Sequence, residues 1–188
     1  MKRKVVKGVG FLSLFIIVFI LSLTTCCVGV HGDSMKPTLH DTDLLLVYKT
    51  TDIELNDIVV LDSTDLDACI VKRVVGLPGD KLEINKRGFF RNGKEVTEDF
   101  IKDSNWVKES IPCSVTVREG AVFVLGDNRV SSYDSRELGA VPTNDIIGTY
   151  LLNISDISGL SIYGILLLLV ITITFILFFG LGKSSKTK

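Results

Sequence analysis

Two long uncharged apolar runs enclosing an acidic middle constrain this chain more than any other feature. Gly8–Val30 extends for 23 residues and Ile157–Gly182 for 26 residues without a charged side chain. A helix needs about 20 apolar residues to cross a bilayer, so each run is long enough to span one. All 22 acidic residues lie between Asp33 and Asp156. Lys2, Arg3, Lys4 and Lys7 precede the first run, and Lys183, Lys186 and Lys188 follow the second. The tails thus carry +7 and the middle −8. Basic flanks outside two spans fit the positive-inside rule with both termini cytoplasmic.

The expected layout is a basic tail over 1–7, a transmembrane helix over 8–30 and an extracytoplasmic domain over 31–156. A second transmembrane helix over 157–182 and a basic tail over 183–188 complete it. This describes a multi-pass protein of the cell membrane, in contact with lipid. A cleaved leader, the alternative for the first run, has a shorter apolar stretch and an Ala-x-Ala site, and none follows Gly8–Val30. Cys26 and Cys27 fall inside the first run and are expected against lipid or the second helix. Cys69 and Cys113 lie in the outer domain, where a disulfide is permitted and two free thiols are equally compatible with the sequence. An acidic middle disfavours nucleic acid as a partner. Oligomeric state is not legible.

Between the runs the pattern is that of a mostly β domain. Leu44–Tyr48, Ile58–Leu61, Cys69–Val75, Lys81–Asn85, Ser114–Val117, Ala121–Leu125 and Ile146–Leu152 are short runs rich in branched residues, broken by turn residues. Asn92-Gly93 inside Phe89–Val96 marks a hairpin, because both turn centres tolerate positive φ. Leu77-Pro-Gly-Asp80 marks a turn. About seven strands in some 120 residues predict a barrel or sandwich. Thr97–Pro112, polar and aperiodic, reads as a loop or an excursion away from the core.

Three segments carry chemistry. Alternation along Cys69–Val75 puts Lys72 on one face with Ile70 and Val74, and Arg73 on the other with Val71 and Val75. Burial among such hydrocarbon lowers a lysine pKa and makes it a general base, whereas an edge lysine simply faces solvent. Ser34 lies in Gly32-Asp-Ser-Met-Lys-Pro-Thr-Leu39, where glycine and proline favour a tight loop. A nucleophilic serine needs such a turn, an adjacent base and nearby N–H groups; a turn or cap serine needs none of these. Gly126-Asp-Asn-Arg-Val-Ser-Ser-Tyr-Asp-Ser-Arg136 leaves the apolar strand Ala121–Leu125 as a polar loop. On its own it is a solvated loop with ion pairs. Beside a lysine base, Ser132 offers an orienting hydroxyl. His31 and His40 are the only histidines and lack partners at metal-ligand spacing, so neither a Ser-His nor a zinc mechanism is expected, nor any cofactor.

The three motifs together, in this order, resemble those of bacterial type I signal peptidases, which are membrane-bound serine–lysine proteases. The matching residues are Ser34-Met-x-Pro-Thr-Leu39, Lys72-Arg-Val-Val-Gly-Leu-Pro-Gly-Asp80 and Gly126-Asp-Asn-Arg-x-x-Ser-x-Asp-Ser-Arg136, and the resemblance covers roughly Gly32–Gly148 with the N-terminal anchor. It implies a signal-peptidase-like β-barrel or sandwich, so the fold expected here is a mostly β, compact version of that domain flanked by the two transmembrane helices. It implies Ser34 as nucleophile, Lys72 as base and Ser132 as the hydroxyl that hydrogen-bonds and positions the lysine. Asp134 and Arg136 would form a supporting ion pair, with Asp127, Asn128 and Arg73 shaping the site. The partners implied are secretory preproteins, cut after small residues through an acyl-enzyme.

The chain departs from the resemblance in three ways. The family domain often carries a large β insertion, and the short span between Lys81 and Ser114 points to a compact version. Some members place a serine hydroxyl, a second oxyanion donor, two positions before the nucleophile; Gly32 stands there. A second, C-terminal span is not part of the commonest layout. Lysine rather than histidine at position 72 sets the chain apart from the endoplasmic-reticulum type. A self-cleaving peptidase resembling the SOS-response repressors shares the dyad but is cytoplasmic. A non-enzymatic β module that binds a secretion partner is the remaining alternative.

Overall fold

In a computed structural model, the structure describes residues 19, 21, 23–63, 68–101, 106 and 112–156. Most of the first apolar run, all of the second and both basic tails lie outside the described residues. Among the described residues no helix is long and apolar enough to cross a membrane.

The first run corrects one expectation. A helix over 8–30 cannot reach Val30, because the chain is helical at Leu23 and Thr24 and becomes strand β1 at Thr25–Gly29. The hydroxyls of Thr24 and Thr25 both donate to Leu21 O, closing the last turn. Pairing then takes over: β1 lies antiparallel to β2 (Leu44–Tyr48), with Cys26 opposite Val47 and Val28 opposite Leu45. Cys26 and Val28 therefore pack on the protein core instead of lipid. The run stays apolar up to Val30 because its last residues form a strand that is half-buried against the core.

The remaining strands are β3 (Ile58–Ser63), β4 (Ala68–Gly76), β5 (Lys81–Asn85), β6 (Gly88–Arg91), β7 (Lys94–Glu95), β8 (Cys113–Thr116), β9 (Ala121–Leu125), β10 (Val141–Pro142) and β11 (Ile146–Asn153). They form two antiparallel sheets, with orders β1-β2-β11-β3-β4-β9-β10 and β7-β6-β5-β8. The mostly β expectation holds for the described residues, with β1 and the short β10 added to the expected strands. Asn92 (φ 56°) and Gly93 (φ 76°) make the expected tight turn between β6 and β7. A short helix, α1 (Ser135–Leu138), closes the third motif.

The sheets share a core. β3 is buried on both faces: Ile58 and Val60 join Met35, Leu39, Leu45 and Val71, while Val59 and Leu61 join Val74, Val122 and Val124. A third cluster sets Leu82, Ile84 and Phe89 of the small sheet against Val75, Phe123 and Leu125 of the large one. Trp106 belongs to this third cluster. Of the two readings of Thr97–Pro112, a loop or an excursion away from the core, the excursion does not hold at the described positions Ile101 and Trp106, which pack inward. Cys69 and Cys113 are free thiols.

Candidate active site

β4 brings the lysine to the serine. Hydrogen-bonded to β3 on one side and β9 on the other, it is a central strand, so Lys72 is not an edge lysine facing solvent. Its side chain is buried, with 3% of the residue exposed, and Nζ lies 2.9 Å from Ser34 Oγ and 2.9 Å from Val71 O. Burial lowers its pKa from the ordinary 10.5, against the smaller opposing influences of Asp134 and Asp127. The 2.9 Å contact serves either protonation state. An ammonium donates to Oγ, and a neutral amine accepts the serine proton.

Ser34 sits on a loop that local bonds make rigid. Val30 N donates to Asp43 O and Thr42 N to Val30 O, which closes the loop at its base. Met35 and Leu39 anchor it from below, at 1% and 2% exposure. Ser34 itself is half-buried. Gly32 adopts φ +85° and donates its N–H to Asp41 Oδ1, so that N–H is engaged on the loop's own carboxylate.

The third motif holds the serine loop from the other side. Asn128 N donates to Ser34 O at 2.9 Å, and Asn128 Nδ2 donates to Asp33 O at 3.0 Å. Asp127 is fixed by Arg73, whose Nε and NH2 donate to the two carboxylate oxygens at 2.8 and 2.6 Å. Thr38 Oγ1 donates to the same carboxylate, tying in the serine loop. Arg73 also donates to Asn56 O and lies 4.1 Å from the Phe100 ring centroid. Asp134, fully buried, caps α1 and takes Arg136 Nε and NH2 at 2.8 and 2.9 Å. Its Oδ2 also accepts Gly126 N at 2.9 Å.

Gly126 is where these pieces converge. A Cβ there would fall 2.5 Å from Ser34 O and closer still to Ser132 Oγ, so only glycine lets the loop approach the nucleophile. The structure does not contain the expected hydrogen bond from Ser132 to Lys72. Among the described residues Ser132 Oγ is buried without a hydrogen-bond partner, and Nζ contacts Ser34 and Val71. The hydroxyl is packed against Gly126, and its unused bonding capacity stands inside the cluster. All eight residues expected at the site, Ser34, Lys72, Arg73, Asp127, Asn128, Ser132, Asp134 and Arg136, lie in this one assembly. Sequence reasoning missed Thr38, Glu98, Phe100 and Trp106. Thr38 lay within the serine motif; the other three are in a stretch with no periodicity.

Beside the serine loop an open cleft of about 230 Å³ runs between Lys36, Pro37, Ile101, Asn128 and Val130. Among the described residues no group of three or more His, Cys, Asp or Glu side chains is placed to hold a metal ion. What the assembly can do is move one proton between a hydroxyl and a buried amine beside free space.

The family model for signal peptidase, peptidase S26, matches residues 3–154. Signal peptidase I of Bacillus licheniformis is 38% identical over 132 residues, covering 64% of this chain and 71% of the relative. Signal peptidase IB of Staphylococcus aureus (strain COL) is 34% identical over 173 residues, covering 79% of this chain and 88% of the relative. A crystal structure of a signal peptidase I from Enterococcus faecalis V583 aligns at 30% identity with a TM-score of 0.46, covering 52% of this chain and 96% of that one.

Proposed function

The chain belongs to the signal peptidase family, peptidase S26, as a serine peptidase of the type I signal peptidase class, and from that premise we propose that Ser34 and Lys72 are its catalytic dyad. The observation that carries the reading is the 2.9 Å contact between Ser34 Oγ and the nitrogen of a buried lysine whose pKa is lowered by that burial. Neutral Lys72 takes the Ser34 proton as the oxygen attacks the scissile carbonyl carbon. The Ser34 N–H donates to the oxyanion that forms. Protonated Lys72 then gives its proton to the leaving amine, the acyl-enzyme remains, and water activated by the same amine releases the signal peptide's new carboxylate. No step calls for a metal or a cofactor.

The substrate is a secretory preprotein, bound extended beside the serine loop with small side chains at the cut. Membrane attachment is part of the proposal. Gly8–Thr24 gives 17 residues for the first span, at the short end of the range of about 17–25, and Ile157–Gly182 gives 26 for the second. Strand β1 then starts directly at the end of the first span, which holds Ser34 close to the bilayer where preproteins emerge.

The test is incubation of detergent-solubilised full-length protein with a model preprotein, with the cut mapped by mass spectrometry. Wild type cleaves once after a small residue. Ser34→Ala and Lys72→Ala remain folded and show no cleavage above the uncatalysed background. Undiminished cleavage by either purified variant refutes the dyad. Cleavage of the chain itself, with the preprotein left intact, would favour a self-processing peptidase instead.

A further inference from the structure

Glu98 belongs to the segment that showed no pattern in the sequence, yet it makes a buried bidentate contact with the third motif. Its two oxygens accept NH1 and NH2 of Arg129, with side-chain exposures of 7% for Glu98 and 1% for Arg129. Val96 N donates to Phe89 O, which ties the segment to β6, and Ile101 N donates to Glu98 O, which turns it back. The Arg129 guanidinium is stacked 4.7 Å from the Trp106 ring centroid, and its Nε donates to Gly126 O at 2.9 Å. Arg136 NH1 donates to Arg129 O at 2.7 Å.

These bonds form one relay. Gly126 is gripped at its N–H by Asp134 and at its C=O by Arg129, and two residues on Asn128 holds Ser34 O. Arg129 is the member with no carboxylate of its own motif: Asp127 is taken by Arg73 and Asp134 by Arg136. Its counter-charge comes from Glu98 across 31 residues of chain. A buried guanidinium stripped of its carboxylate is an uncompensated charge, and hydration outside the core is what would relieve it. Arg129 cannot gain that hydration without releasing Gly126.

We propose that Glu98 is a positioning residue for the hydrolysis: by holding Arg129 it fixes Gly126 and Asn128, and through them the register of Ser34 against Lys72. The proposal rests on the dyad reading above. Glu98 touches neither reacting group and acts through Arg129. The segment between β7 and β8 thereby does more than cover the core; it supplies the charge that locks the catalytic loop.

The experiment measures kcat and KM on a model preprotein for Glu98→Gln, Arg129→Gln and the double variant, all at a temperature where circular dichroism shows each fully folded. Ile84→Val, in the small-sheet core, is the stability control. Glu98→Gln keeps the shape and loses the charge. It should lower kcat on the order of tenfold to a hundredfold, the scale of a misplacement of up to 1 Å, with KM within about twofold. The double variant should be no slower than Arg129→Gln, because the two residues act as one unit. Ile84→Val should lose stability and keep kcat. If Glu98→Gln does not fold, Arg129→Lys, which keeps the charge and loses the fork, carries the same expectation. Wild-type kcat in the folded variant, a loss confined to KM, or losses that multiply in the double variant would each overturn the proposal. Ser34→Ala in the same assay keeps the two claims apart: residual full activity there sinks the dyad, whereas an inactive Ser34→Ala beside a fully active Glu98→Gln sinks only the positioning role.

Discussion

At Lys72 two opposing influences meet. Burial favours the neutral amine, and Asp134 and then Asp127 favour the ammonium; burial is the larger, so the pKa falls below 10.5. Each carboxylate already binds a guanidinium, Asp134 that of Arg136 and Asp127 that of Arg73, which blunts its pull on the lysine. Because the neutral form is the base, kcat/KM should rise with pH through the folded-state pKa of Lys72 and level off above it. Asp134→Asn removes the stronger of the two charges that raise that pKa. Its acid limb should therefore lie at lower pH than that of wild type, whatever plateau the variant retains. A pH–rate series on both proteins checks this. A limb that stays in place or moves upward would mean that some other group is titrating.

At the scale of elements, the site is made by β4 and β9 delivering consecutive residues to one place. Arg73 pairs with Leu125 in register, and just past that pairing Arg73 reaches Asp127 across the end of β9. The pair is buried, with side-chain exposures of 10% and 0%. Breaking such a pair leaves an uncompensated charge and costs roughly 3–5 kcal/mol. Asp127→Asn should lose about that much in urea denaturation, and Arg73→Met with Asp127→Asn should lose less than the single change. The strands themselves were legible, because Leu44–Tyr48, Lys81–Asn85 and Ala121–Leu125 carry branched residues between clear turn signals. β1 was not. Its residues continue an uncharged run, and what makes them a strand is pairing with β2, a contact that periodicity within the run cannot express. Lys72 was legible as a residue between hydrocarbons but not as buried, since that depends on β3 and β9 lying on either side. The role of Glu98 depends entirely on a partner 31 residues away and left no trace in local composition.

For the whole molecule, three core clusters pin the three parts of the site independently. Met35 holds the serine loop in the first, Val74 holds β4 in the second, and Leu125 holds the start of the third motif in the third. That rigidity carries a thermodynamic cost, because the fold buries an amine that would be charged in the unfolded chain. With its folded pKa below the unfolded 10.5, Lys72 binds fewer protons in the native state across the interval between the two values. Stability therefore rises with pH across that interval, at a limiting slope of about 1.36 kcal/mol for a tenfold change in proton concentration. Lys72→Met keeps a long, flexible side chain in the same space and has no proton to lose. Its stability relative to wild type should be greatest below the folded pKa of Lys72. The difference should shrink steadily as pH climbs toward about 10.5, the unfolded lysine value. Urea midpoints for both proteins from about pH 6 to about pH 10 measure it, the range over which an ordinary lysine stays charged. A difference that does not change with pH would mean that the lysine is charged in the folded enzyme, and a charged lysine cannot take the serine proton.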